Sequence, residues 1–195
     1  MLQDKLSGFR LILASQSPRR QMLLKGLDIN FEVITTPQID ETFPDNIFEK
    51  DIAIYLSKRK AQAYQNLLDA KTIVITADTI VWFKNQVLNK PANRNEAINM
   101  LKMLSGQVHT VFTGICISTI NRSKTFCSET KVWFSNLRDI EIIFYVDKYK
   151  PYDKAGAYGA QEWLGYVAIE RIEGSYFNVM GLPVQQLYNE LKNFI

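Results

Sequence analysis

The chain is poor in residues that staple, ligate or anchor. Its 195 residues include two cysteines, Cys116 and Cys127, and one histidine, His109. Two cysteines are too few for a disulfide framework, and their spacing is not that of a metal ligand set. Both fall in candidate strands that flank a turn near Asn121, Arg122 and Ser123, from which they could face each other, and they are read as buried, reduced thiols. One histidine cannot supply a metal cluster, and no Ser-His-Asp pattern surrounds it. His109 lies in an apolar strand and is read as structural.

No run approaches the ~18 consecutive apolar residues that a membrane span needs. Residues 1–9 are polar, carry both charge signs and lack a secretory apolar region. A cytoplasmic chain with no membrane partner is therefore expected. Charge of one sign is also scarce: 23 Lys and Arg face 20 Asp and Glu, a net +3. The basic residues are scattered apart from Lys58, Arg59 and Lys60. A nucleic-acid binder would show a denser basic stripe with interleaved aromatics, so no nucleic-acid partner is expected. A small anionic ligand needs only a few well-placed cations. No Walker A loop or Gly-rich dinucleotide fingerprint is present.

The rest is ordinary globular composition, 47% hydrophobic and 22% charged, at a size that can bury about 70% of the unfolded surface. No repeat, linker or low-complexity segment breaks it, so residues 1–195 read as one domain, in a single body or two fused lobes. Apolar runs predict strands over residues 10–14, 31–35, 72–76 and 79–83, the last two separated by a break at Ala77 and Asp78. A turn at 85–86 leads to a short strand at 87–88. A long hairpin is predicted over 108–120 and 124–135, and a further strand over 167–172. Helices are predicted over 18–27, 48–69, 93–104, 137–148 and 182–194, with a polar loop over 36–46. Strands and helices alternate, which implies an α/β fold with a mixed sheet. Trp82, Trp133 and Trp163 read as packing residues; Trp163, beside a glycine-rich loop, is the one candidate for base stacking.

Four places could carry chemistry. At residues 15–20 (SQSPRR) a strand gives way to a helix N-terminus, with Ser17 placed as N-cap and Pro18 at the first helical position. Free N–H groups and the helix dipole favour a phosphate there, and Arg19 and Arg20 could fork onto its oxygens. The same residues also describe a capped surface helix with two solvated arginines. Asp78 follows an apolar strand, where α/β folds place ligand sites; it could hold a metal, orient a water, or be a turn aspartate. Lys90 sits beside Pro91 in a loop, and Lys60 lies on the polar side of a helix. Both also fit solvated surface charges, and replacing Arg20, Lys60 or Lys90 by Ala is expected to leave the melting temperature nearly unchanged. Residues 152–161 (YDKAGAYGAQ) are rich in Gly and Ala, which lets backbone approach a ligand, and end on Gln161, a donor and acceptor suited to a base edge. Residues 174–183 form another small-residue loop before a helix.

Taken together, LASQSPRRQMLL, TADTIV, NKPANRNEAINMLKMLSGQVHTVFTG, DKAGAYGAQ and GSYFNVMGLPV resemble the Maf nucleotide pyrophosphatases, in order across about 170 residues. That resemblance implies a fold similar to the inosine triphosphate pyrophosphatases: a long, bent mixed sheet flanked by helices, with two lobes around a cleft. It implies a divalent metal, Mg²⁺ or Mn²⁺, and hydrolysis between the α- and β-phosphates of a nucleoside triphosphate. The family's base aspartate falls on Asp78, its phosphate-binding positions on Ser15, Arg20, Lys60 and Lys90, and a carboxylate of its DE pair on Glu41. Metal would then lie with Glu41 and Asp78. Arg19, Thr79 and Gln161 match the branch acting on dTTP and UTP rather than the branch acting on 7-methyl-GTP. Ala160 replaces the usual isoleucine, and Glu162 and Trp163 stand where glycine is commoner. The resemblance thus implies a dTTP/UTP pyrophosphatase that cleans the nucleotide pool, of normal or modified pyrimidine nucleotides. A homodimer is a possible assembly. The competing readings are a purine-directed pyrophosphatase and a non-catalytic nucleotide-binding regulator of septum formation.

Overall fold

The apolar runs become strands of one mixed sheet. In the computed structural model, which describes residues 1–35 and 39–195, these are β1 (Arg10–Leu13), β2 (Glu32–Val33), β3 (Thr72–Phe83), β4 (Gln86–Leu88), β5 (Val108–Ser118), β6 (Ser123–Phe134) and β7 (Ile169–Glu173). Their order is β2-β1-β3-β5-β6-β7, with β4 added to β3. β1 is parallel to β2 and β3, whereas β4 is antiparallel to β3 and β7 to β6. The helices are α1 (Leu2–Leu6), α2 (Pro18–Lys25), α3 (Lys50–Gln62), α4 (Arg94–Leu104), α5 (Asp139–Tyr149), α6 (Trp163–Ala168), α7 (Tyr176–Val179) and α8 (Val184–Phe194). The expected α/β class with a mixed sheet is what is found. The first three residues of the expected 36–46 loop lie outside the described residues.

The chain divides into two compact units. The first comprises Met1–Asp78, Thr113–Ser128 and Gly181–Ile195; the second comprises Thr79–Phe112 and Glu129–Met180.

In the first unit, β1 pairs in register with the start of β3, Leu11 opposite Ile73 and Leu13 opposite Ile75, and all four side chains are buried. Helix α3 lies against the sheet through Ile52, Ala53 and Leu56. It comes so close to β5 that a Cβ on Gly114 would stand 2.2 Å from the carbonyl oxygen of Ala53. Only glycine allows two backbones this approach. Helix α8 buries Val184, Leu187, Leu191 and Phe194, one stripe at helical spacing.

Several sequence expectations shift here. Helix α3 ends at Gln62, not near residue 69, and a single 3-10 turn at Gln65–Leu67 follows. Tyr64, Leu67 and Leu68 all pack in the cluster around Ile12 and Val74. Helix α1 was hidden because only two of its residues, Leu2 and Leu6, are buried. β3 is one unbroken strand across the expected break at Ala77 and Asp78. Cys116 is buried and Cys127 half-buried, and both are free thiols.

The second unit buries Val81, Phe83 and Leu88 against Leu101 and Leu104 of α4 and Ile142, Tyr145 and Val146 of α5. Asn93 caps α4 by accepting from the Glu96 N–H at 3.0 Å, and Glu96 accepts in return from the Ala92 N–H at 2.8 Å. Residues 163–168 form α6, and the strand expected from residue 167 begins at Ile169. His109 is 2% exposed. Its Nε2 lies 2.7 Å from the Tyr158 hydroxyl, and the rings of Phe134 and Tyr158 meet it edge-on, so its expected structural role holds.

Burial pushes the His109 imidazole down to about 3. The unfolded chain takes up this proton near pH 6.5, so the folded state binds fewer protons between the two values. His109 therefore leaves stability intact above pH 6.5 and erodes it as pH falls towards 3. Between pH 7 and pH 5 the loss should be about 2 kcal/mol. Urea titrations of wild type and His109→Gln at both pH values check this: the pH-dependent difference should shrink in the variant, and an equal slope in both would refute the assignment.

Candidate active site

In the first unit, charge gathers around a buried carboxylate. Strand residues alternate faces, so Thr76 and Asp78 of β3 point the same way, towards α3. The Thr76 hydroxyl donates to the Ser57 carbonyl at 2.7 Å. One turn along the helix, the Lys60 ammonium donates to Asp78 Oδ1. Two residues of strand thus match three residues of helix. The side chains of Asp78 and Lys60 are 9% and 16% exposed. Lys60 Nζ also meets Glu41 Oε1 at 2.8 Å, so one ammonium joins two carboxylates.

The neighbouring cation does the same for the neighbouring acid. Arg59 donates to Asp40 Oδ2 at 2.8 Å and to the Thr42 carbonyl at 2.8 Å. The Thr42 hydroxyl and N–H also donate to Asp40, and these bonds, with Arg59, hold its carboxyl below the usual range. Consecutive residues of α3 therefore fasten consecutive acids of the segment that carries Glu41.

The SQSPRR segment folds as its sequence predicts. Ser17 caps α2 by accepting from the Arg20 N–H, with Pro18 at the first helical position. Ser15 is buried, and its hydroxyl accepts from the Ser17 N–H at 3.2 Å. Arg20 is not a solvated arginine. Its Nε donates to the Gly181 carbonyl and its Nη1 to the Ala77 carbonyl, both at 2.8 Å. The Ile75 carbonyl of β3 accepts from Ala14 just after β1, and Ala77, two residues on, aims its carbonyl to the same side. There the β1–β3 ladder has ended, and the guanidinium takes the next donor position. Burial lowers the Arg20 pKa, Asp78 and Glu41 oppose this, and Arg19 adds like-charge repulsion. Ser15, Arg19, Arg20, Glu41, Lys60 and Asp78 thus share one region.

Thr79, Lys90 and Gln161 belong to the second unit. Lys90 is exposed, and the preceding residue, Asn89, accepts through its carbonyl from the Gly156 N–H at 3.3 Å. The Lys90 loop and the glycine-rich segment are therefore tied together. Gly156 has φ +68° and lies against the Val81 side chain. Gln161 Oε1 is buried and has no hydrogen-bond partner among the described residues. A groove of about 650 Å³ in the first unit, between Lys58 and Ser123, includes none of these residues.

A model of the family described as Maf-like protein matches residues 10–194. The chain belongs to the Maf-like family. A dTTP/UTP pyrophosphatase from Parabacteroides distasonis is 53% identical over 191 residues, 98% of this chain and 99% of that one. Another from Flavobacterium johnsoniae is 43% identical over the full length of both. Among solved structures, a HAM1 protein from Coxiella burnetii is similar in fold, with a TM-score of 0.50 at 16% identity over 95% of this chain and 99% of that one.

For this Maf-like chain, the geometry revises two sequence readings. Asp78 is not a strand-end turn residue but lies within β3. Lys60 is not a solvated face: its ammonium lies against two carboxylates, one of them buried. Sequence reasoning missed Arg59 as a partner of Asp40, although the run at residues 58–60 was visible. It also missed Asn178, fully buried in the second unit, whose amide donates to the Val111 carbonyl at 3.0 Å and to Thr130 Oγ1 at 2.9 Å. The GSYFNVMG segment was its signal. Trp163 packs edge-on against Phe144.

Because Asp78 is buried with Lys60 beside it, removing the ammonium leaves a carboxylate with less compensation. Lys60→Met should cost about 1–3 kcal/mol of stability, whereas Lys58→Met, exposed on the same helix, should stay within ~0.5 kcal/mol. Thermal melts of the two variants check this; matching melting temperatures would return Lys60 to the surface charges.

Proposed function

We propose that this protein hydrolyses dTTP and UTP to the nucleoside monophosphate and pyrophosphate, clearing normal or modified pyrimidine nucleotides from the cytoplasmic pool. The observation that carries the reading is the buried Asp78 with Lys60, Glu41 and Arg20 gathered around it. The names of relatives at 43–53% identity across the whole chain support the substrates.

In this reading water attacks the α-phosphorus. A new P–O bond forms, the bond from the α-phosphorus to the bridging oxygen breaks, and Asp78 takes the proton of the attacking water. Pyrophosphate leaves with rising negative charge, which Arg20 and Lys60 stabilise electrostatically. Arg20 arrives pre-oriented, since two backbone carbonyls fix its plane and no reorganisation is needed when charge develops. The helix start at residues 15–20, with Ser15 and Arg19, offers donors to the phosphates. Thr79 and Gln161 contribute to the choice of base.

Asp78 and Glu41 suit a divalent cation. Both place a carboxylate oxygen on one positive group, Lys60, and among the described residues no cluster of three His, Cys, Asp or Glu forms a closed metal cage. Mg²⁺ is commonly held by one or two carboxylates plus substrate phosphates and waters. Mg²⁺ or Mn²⁺ held there would polarise a phosphoryl oxygen and neutralise charge.

Asp78→Asn should lower kcat on dTTP by at least ~10² while the fold survives, as judged by circular dichroism. Pyrophosphate release from dTTP, UTP, CTP, GTP and 7-methyl-GTP should favour the first two; a preference for 7-methyl-GTP, or wild-type turnover by folded Asp78→Asn, would sink the reading. Exhaustive chelation should abolish turnover and added Mg²⁺ or Mn²⁺ should restore it. Unimpaired activity in the chelator would remove the metal from the proposal.

A further inference from the structure

Gln161 closes a segment in which Tyr158, packed against His109 and Phe134, is the one large side chain. Residues 155–160 are Ala, Gly, Ala, Tyr, Gly and Ala, and glycine and alanine offer few contacts that could fix a loop. Nevertheless, residues 156–160 are buried. Beyond Tyr158, the end of the segment next to Gln161 is held by a polar cluster of the second unit.

Glu162 is its centre. Its Oε2 accepts from the Tyr145 hydroxyl, and its Oε1 lies 3.0 Å from the Lys154 ammonium. Lys154 is itself buried, at 7% exposure, and also donates to Asp153 at 2.7 Å. Tyr145, fully buried on α5, both donates to Glu162 and accepts from the Gly159 N–H at 3.0 Å. The Tyr176 hydroxyl donates to the Ala160 carbonyl at 3.2 Å. A Cβ on Gly165 would stand 1.8 Å from that same carbonyl oxygen, so α6 presses its backbone on the loop. Finally, a Cβ on Gly159 would meet Glu162 Cδ at 2.9 Å and Gln161 Nε2 at 3.1 Å. The carboxylate of Glu162 and the amide of Gln161 therefore rest side by side over the bare Cα of Gly159.

We propose that Lys154, Glu162 and Tyr145 form a clamp of positioning residues that fixes Gln161 as a rigid, desolvated acceptor and thereby sets the preference among pyrimidine bases. The inference rests on the reading that Gln161 meets the base. A buried acceptor without a donor suits a ring that brings an N–H: thymine and uracil carry N3–H, while cytosine presents a bare N3 there. A rigid acceptor rejects the wrong partner strongly, because the unpaired buried group is left behind. A loose loop would rotate the amide to suit either base, so the discrimination depends on the clamp and not on Gln161 alone. Charge-assisted hydrogen bonds to a carboxylate are the stronger kind, and Glu162 is met by both the Tyr145 hydroxyl and the Lys154 ammonium.

The test uses the whole protein in three variants: Tyr145→Phe, Glu162→Gln, and Gly159→Ala, which keeps every polar group and pushes Glu162 and Gln161 off their seat. Two quantities are read. The first needs no substrate: hydrogen exchange at the Gly159 amide should speed up at least ~10-fold in Tyr145→Phe, which loses that amide's acceptor. The second is kinetic: kcat on dTTP should stay within ~3-fold, KM should rise, and the dTTP-over-CTP ratio of kcat/KM should fall ~10-fold or more. A purely structural role would lower both nucleotides together and preserve the ratio, and that result overturns the proposal. So does unchanged exchange at Gly159. Failure of the underlying reading shows outside the clamp, as no turnover of dTTP by the wild type or as an unchanged dTTP-over-CTP ratio in Gln161→Ala, whereas failure of the clamp shows only in the clamp variants.

Discussion

A carboxylate in the middle of a buried strand needs a cation, and much of the first unit is arranged around that need. Asp78 has apolar neighbours on β3, with Ala77 and Ile80 buried beside it. An ionised group in such a place is costly unless paired and hydrogen-bonded. The ammonium comes from Lys60, and Lys60 arrives only if α3 lies close to the sheet at the right height. Gly114 gives the closeness by omitting a side chain, and the Thr76 hydroxyl on the Ser57 carbonyl gives the height. The helix then carries Arg59 and Lys60 to the acids at 40 and 41. One buried charge is therefore met by a helix that apolar packing holds in place, and that helix in turn reaches an exposed acidic segment.

The sheet edge shows the same economy of parts. β1 is short, so the carbonyl of Ala77 has no strand donor from β1. A buried carbonyl left without a donor is unfavourable. Arg20 supplies the donor, and in doing so acquires a fixed plane beside the other charges. The dipole cost of a basic first turn in α2 is offset by these two carbonyl bonds. A solvated arginine would instead pay side-chain entropy on meeting a phosphate.

How much of this was legible depends on range. Local signals were read well. Ser17 and Pro18 predicted the start of α2, the hydrophobic stripe predicted α8, and the alternating runs predicted the long β5–β6 pair. Signals requiring a partner were not legible. Nothing near residue 78 in sequence tells a turn aspartate from a buried strand aspartate, because the deciding group, Lys60, is eighteen positions away. Composition ranked Lys60 among solvated charges for the same reason. Helix α3 was overextended because apolar residues at 63 and 67 keep helical spacing, while the packing of Tyr64 and Leu68 on Ile12 and Val74 is a long-range fact. Helix α6 was missed because the sequence reading places residues 163–166 in no element and starts the strand at Val167, whose β-propensity tertiary context overrides. For the site residues, resemblance supplied the positions; the structure added the contacts that give Asp78, Lys60, Glu41 and Arg20 physical roles.

The two groups of proposed site residues are held by different physics, and the difference bears on which of them can vary. Asp78, Lys60 and Arg20 sit on a strand and two helices whose positions are set by apolar packing. Changing the chemistry there disturbs buried charge and backbone satisfaction together, so few substitutions keep both. Gln161 ends a loop of mostly small residues anchored by Tyr158, and next to it the restraint comes from Tyr145 and Lys154, which donate to the Glu162 carboxylate while Tyr145 accepts from the Gly159 N–H. Such a network can be altered one member at a time without moving an element, because Tyr145, Lys154 and Glu162 each come from a segment anchored by other contacts. Rigid packing is therefore suited to the groups proposed to break the bond, which every substrate would need alike. A polar clamp is suited to the group that tells substrates apart, where a small change of geometry alters the ratio between two bases while the reaction itself is retained.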